Sequence, residues 1–138
     1  MKNASLLIDA RYSPNSGYSL EGSPEALVTL ADALESESGG RFDFDPRVRP
    51  AEGPQPYDEF VDGLVLIPGE GAVRIEKQGR LIEVSGAPDK LGILADNIRD
   101  LALGSIPGNS EHMHIEYHPD HYFLDESAEP VMVERTSG

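Results

Sequence analysis

All four histidines of the chain fall in ten consecutive residues, His112-Met-His-Ile-Glu-Tyr-His-Pro-Asp-His121. Two chemistries are open to such a cluster. Neutral imidazole is the commonest transition-metal ligand, so His112, His114 and His118 could hold zinc or nickel. A histidine oriented by a carboxylate, here Glu116 or Asp120, is the usual general base. The chain has no cysteine, which excludes thiol nucleophiles, disulfides and thiolate metal sites and leaves His, Asp and Glu as the only strong ligands. The parts that normally accompany catalysis are missing. There is no Gly-x-Ser-x-Gly elbow, phosphate-cradling glycine loop, His-Glu-x-x-His helix or dinucleotide fingerprint. The expectation is a non-enzyme without a resident cofactor, with zinc or nickel on the histidines as the alternative.

The element that carries these residues decides between the two. Apolar Met113, Ile115 and Tyr117 alternate with polar His112, His114, Glu116 and His118, the period of a half-buried strand, which predicts three imidazoles and one carboxylate on a solvent face. Same-face residues of a strand stand roughly 6.5 to 7 Å apart, too far for a compact tetrahedral site without a ligand from another element. A polar strand face that meets a partner is the plainer reading.

The strand sits inside a larger pattern. Gly22-Ser-Pro-Glu-Ala-Leu-Val-Thr-Leu-Ala-Asp-Ala-Leu34 lines up with Gly86-Ala-Pro-Asp-Lys-Leu-Gly-Ile-Leu-Ala-Asp-Asn-Ile98, six of thirteen positions being identical. Each copy opens a helix, with proline at the first helical position and an acid next, where the helix dipole favours negative charge. Each then shows a single apolar stripe: Leu27, Leu30, Ala31 and Leu34 in one, and Leu91, Leu94, Ala95, Ile98, Leu101 and Ala102 in the other. Before the second helix, residues 72–77 and 80–85 read as a hairpin turning at Gln78-Gly79. Residues 5–9 and 18–20 suggest a looser counterpart in the first half. Downstream, Phe42-Asp-Phe-Asp-Pro46 matches Ile115-Glu-Tyr-His-Pro119, and Phe60-Val-Asp62 matches Phe123-Leu-Asp125. Residues 64–67 and 131–134 close each half as strands. The pattern predicts an α+β fold: a single domain, residues 1–138, made of a duplicated β-β-α-β-β unit (1–68 and 72–134), with antiparallel sheet or sheets and two helices packed on one face. On this alignment Ile115, Tyr117 and Pro119 are structural, and the histidines decorate a face on which the other copy carries Arg41, Asp43 and Asp45. The Pro- and Gly-rich stretch from Pro46 to Pro56 reads as the mobile loop.

The charge is strongly acidic: 25 acidic against 11 basic residues give a formal net charge of -14, spread over both halves. Such a field repels nucleic acid and anionic lipid and speeds association with basic proteins. We expect neither nucleic acid nor membrane as a partner. No signal peptide or membrane-spanning run is seen, so the expected location is cytoplasmic.

The run from Val84 to Ala102, the His112–Leu124 segment and the closing Glu129-Pro-Val-Met-Val133 together resemble the Immunity protein 32 family of bacterial polymorphic toxin systems. The resemblance covers residues 72 to 134, most specifically His-x-His-Ile-Glu-Tyr-x-Pro-x-His after the Leu-Ala-Asp-Asn helix. It implies a small α+β cytoplasmic protein that binds and neutralises a cognate toxin domain, and an acidic inhibitor suits a basic toxin such as a nuclease. His112, His114, Glu116, His118, His121 and Tyr122, with the acidic loop pair Asp58 and Glu59, are the candidate toxin contacts. The alternatives are a histidine-based metal-binding module and a non-catalytic scaffold or oligomerisation domain. The oligomeric state is left open.

Overall fold

The computed structural model describes residues 5–104 and 112–136. In chain order these form strands β1 (Asp9–Ser13) and β2 (Gly17–Gly22), helix α1 (Pro24–Leu34), β3 (Gly40–Asp43), a short 3-10 turn (Pro46–Val48), β4 (Glu59–Phe60), β5 (Gly63–Pro68), β6 (Arg74–Gln78), β7 (Leu81–Gly86), helix α2 (Pro88–Ala102), β8 (His112–Ile115) and β9 (Val131–Arg135). The α+β class is as the sequence implied. The first hairpin is tighter and later than expected, because β1 starts at Asp9 and Leu6 makes only an isolated parallel bridge to Phe44. Its turn ends on Gly17 at φ 79, where a Cβ would stand 2.3 Å from the Pro130 carbonyl oxygen, so only glycine fits.

The sheets differ from the expected antiparallel arrangement. One runs β4-β1-β2-β9-β8 and the other β3-β5-β7-β6. Each contains one parallel pair, β2 with β9 and β5 with β7, and is therefore mixed. The physical cause is where each half's last strand goes. Neither closes onto the hairpin of its own half: β5 lies beside β7 of the second half and β9 beside β2 of the first. The connections are long enough to permit these parallel pairings: residues 69–80, including β6, run between β5 and β7, and both helices lie between β2 and β9 in the chain.

Both helices behave as their stripes required. Ser23 caps α1 by accepting the Ala26 amide at 3.2 Å, and every stripe residue in both helices is buried. The helices lie against each other, with Arg99 of α2 bridging to Asp32 at 2.7 Å, to Asp96 at 3.1 Å and to Glu35. Leu20 and Val133 of one sheet, Leu64, Ile82 and Val84 of the other, and Leu30, Leu34, Leu94 and Ile98 of the helices border a residual void of about 20 Å³. One apolar core therefore serves both sheets and the helix pair. This core presses on the inner face of β8 through Ile115 and Met113 and leaves its outer face to the histidines.

Candidate recognition edge

Strand β8 lies at one end of the five-stranded sheet, antiparallel to β9, with Ile115 opposite Val131 and His112 opposite Glu134. It ends at Ile115, earlier than the alternating pattern implied. Pro130 accepts the Tyr18 N–H and so turns its polar backbone toward β2; the next bonding position toward β8 is Glu129, whose N–H donates to Ile75 O instead, and the ladder stops. Of the expected solvent-face set, only His112 and His114 share the strand, their rings edge to face at 5.5 Å. Glu116 and His118 instead enter an excursion, residues 116–123, before the chain returns to the core at Leu124.

Register shows what this excursion is. Gly86 pairs with Pro68 and Gly22 with Arg135, so β5 and β9 hold matching places beside β7 and β2. Phe42 then faces Leu64 as Ile115 faces Val131, and Arg41 matches His114, in line with the sequence alignment. Beyond that point the alignment fails. In the first half the chain passes at once into Phe44, which bridges Leu6; the Leu6 amide donates to Asp43 O, and the Asp45 amide donates to Leu6 O. In the second half the same ladder is made by Leu124 on Val73, with the Val73 amide donating to Phe123 O and the Asp125 amide to Val73 O. Asp45 and Asp125 even make the same local cap, each accepting the amide two residues on at 2.9 Å. The partner of Phe44 is thus Leu124, and Tyr117 and Pro119, read as core and strand ending, are exposed. The match of residues 60–62 with 123–125 fails likewise. Val61 N–H donates to Ala10 O as Glu129 N–H donates to Ile75 O, placing Val61 with Glu129.

The excursion is a ring cluster. His118, Pro119, Asp120 and His121 form a type II turn, with the His121 amide donating to His118 O at 3.0 Å and Asp120 at φ 68. The His121 ring lies parallel to Tyr122 at 5.4 Å, edge-on to Phe123 at 4.7 Å, and 4.7 Å from the His118 ring. Its Nδ1 accepts the amides of Phe123 at 3.3 Å and Leu124 at 3.1 Å, so the ring is half-buried and structural where an outward contact was expected. Burial, and then the neighbouring His118, hold its pKa below the ordinary value. Lys90 of α2 reaches the Tyr122 carbonyl at 3.3 Å. What remains outside is Tyr122, 62% exposed, Tyr117, 37% exposed, and the side chains of His112, His114, Glu116 and His118.

His112, His114 and His118 do not converge as a ligand triad, since two stand on the strand and the third packs with His121 in the turn. Among the described residues no group of three or more His, Asp or Glu side chains is placed to hold a metal ion. Asp58 and Glu59 also fall away from the others. They lie at β4, the opposite end of the same sheet, where the buried Oε1 of Glu59 sits 3.0 Å from Lys77 Nζ.

An acidic row leads away from the histidine edge. Through successive registers His112 faces Glu134, Glu134 faces Glu21, and Glu21 faces Asp9, all on the sheet face turned from the core. Burial first, and then the like charges of Glu134 and Asp9 opposite it, push the Glu21 carboxyl above its usual pKa. Of the surface residues, sequence reasoning missed Tyr117, and Pro-Asp after His118 was the turn signal that could have placed it outside.

Residues 82–136, from β7 through β9, match the family model described as Immunity protein 32, so this part of the chain is similar to that family, as its motifs implied. No curated protein and no solved structure matches the chain. No helix among the described residues is long and apolar enough to cross a membrane.

Proposed function

Starting from the likeness of residues 82–136 to the Immunity protein 32 family, we propose that this chain is an immunity protein that binds a cognate toxin domain and blocks it, without itself catalysing a reaction. The observation that carries the location of the contact is the excursion at residues 116–123. It lies within the matched segment, interrupts a ladder that the other half continues directly, and displays Tyr117, Tyr122 and His118 to solvent beside His112 and His114. Tyrosine is enriched among residues that dominate binding energies because it brings a large rigid surface and a hydroxyl at small entropic cost. Toxin contact is centred on this edge, with Asp58 and Glu59 outside it.

Glu134 and Glu21 of the acidic row and the net charge of -14 favour a basic toxin, of which a nuclease is the natural example, and the charge speeds encounter. The protein acts in the cytoplasm of the cell that makes the toxin.

Co-expression with the toxin encoded beside this chain's gene tests the proposal. Rescued growth and a stoichiometric complex are expected, with Tyr122→Ala and Tyr117→Ala weakening it. Unrelieved toxicity and no complex with any neighbouring toxin would end this reading.

A further inference from the structure

We infer that His121 is the positioning residue of the recognition edge: its neutral ring, accepting two backbone amides through Nδ1, sets the shape in which Tyr122 and Tyr117 are presented. The inference rests on the reading of residues 116–123 as the contact surface, and deepens it by naming what holds that surface.

Three observations converge on this ring. Its Nδ1 receives the amides of Phe123 and Leu124, the two residues where the chain rejoins the core: both side chains are buried, and Val73 N–H donates to Phe123 O. A nitrogen that accepts carries no proton, so the tautomer is fixed with hydrogen on Nε2. The flat of the ring is parallel to Tyr122, with an interplanar angle of 5°, and its edge meets Phe123, so turning the imidazole would displace both neighbours. Finally, the excursion has few other ties. Its turn bond runs between His118 and His121 themselves, and Lys90 of α2 holds the Tyr122 carbonyl. The same ladder in the first half joins Asp43 to Phe44 without any histidine, so the fold does not need this ring and the surface does.

The chemistry selects its own test. Asparagine places an amide oxygen near the position of Nδ1, whereas glutamine places one near Nε2, so only His121→Asn can accept the two amides. The first readout needs no toxin: hydrogen exchange at the Phe123 and Leu124 amides of the full chain. Expected are near-native protection in His121→Asn and a loss on the order of ten-fold in His121→Gln and His121→Ala, the size that one to two neutral hydrogen bonds imply. The second readout is affinity for the neighbouring toxin, which should fall in the same order. Equal protection in all variants, or asparagine behaving like glutamine, would overturn the inference. If exchange follows the expected order while no variant and no wild-type protein binds toxin, the positioning role stands and the immunity reading fails. A shared melting temperature confirms that the three variants are folded.

Discussion

Each half of the molecule makes one long departure from the common ladder, and the two departures are built differently. Residues 46–57 leave after Asp45, and residues 116–123 leave before Asp125, on opposite sides of equivalent points. The first is fastened to the scaffold by two arginines, one reaching in from β1 and one reaching out of the segment. Arg11 of β1 pairs with Asp9 at 2.8 Å and donates to the carbonyls of Pro54 and Gln55. Arg49 reaches Val61 O and Asp62 and lies over the Phe60 ring at 4.8 Å. This is the stretch that its prolines and glycines marked as mobile, and these contacts tie it down. The second departure is held mainly by its own rings and by the His121 acceptor, and it leaves two tyrosines in water. A segment anchored by the scaffold serves the scaffold, whereas one that spends its aromatic residues on the surface serves a partner.

The sharpest way to break this contrast is to truncate the two residues that the sequence alignment equated. Phe44→Ala, at a site 3% exposed, should cost about 3 to 5 kcal/mol in urea denaturation, whereas Tyr117→Ala should stay within about 0.5 kcal/mol. Comparable losses would mean that both aromatics are core. Next, Arg11→Ala removes the partner of nearly buried Asp9 and two loop bonds, and a loss of about 2 kcal/mol is expected in the same assay, since the carboxylate loses the bonds at both its oxygens. If stability does not change, the first excursion is not fastened as described. For the second excursion, Tyr122→Ala should leave the denaturation midpoint unaltered while weakening toxin binding about ten-fold or more by calorimetry.

Acidification should separate the two regions as well. His121 is held below the ordinary imidazole value of about 6.5, first by burial and then by His118, so its folded environment prefers the neutral ring. The groups around it are His118, Tyr117 and Tyr122 of the excursion, with Lys90 of α2 on the Tyr122 carbonyl. A group with a lowered folded pKa contributes stability that is fully present above the unfolded value and lost as pH falls through the folded one. Exchange at Phe123 and Leu124, corrected for intrinsic rates, should therefore accelerate as pH drops below about 6.5, while residues 46–57 keep their protection. Identical profiles would refute the distinction. The smallest effect is expected at Asp120, where φ is 68: Asp120→Gly should be neutral or stabilise the turn by about 0.5 kcal/mol, measured by thermal melting.

Local pattern made some of this legible and not the rest. The helix stripes, Pro24 and Pro88 at the helix starts, and the Gln78-Gly79 hairpin are consequences of short-range periodicity and turn chemistry, and they lie close to where the residues placed them. The alternation through Tyr117 misled because period two says which residues would share a face if the strand continued. It does not say whether the neighbouring strand can supply the hydrogen bonds, and the Glu129 N–H is already given to Ile75 O. His121 looked like one more outward imidazole because its acceptor role depends on two amides of a tight turn. Asp58 and Glu59 looked like companions of the histidines only because charge was the criterion, and the sheet puts them at its other end.

Residue order alone settled the α+β class, both amphipathic helices, the acidic character and the segment that carries the family likeness, because each depends on composition or on neighbours a few positions apart. Tertiary structure decided the rest. It paired each half's last strand with the hairpin of the other half, ended β8 at Ile115, and turned Tyr117 outward and His121 inward. Those outcomes depend on which backbone donors and acceptors distant strands bring together and on which side chains the shared core has room to bury, and neither is a property of any short stretch of the chain.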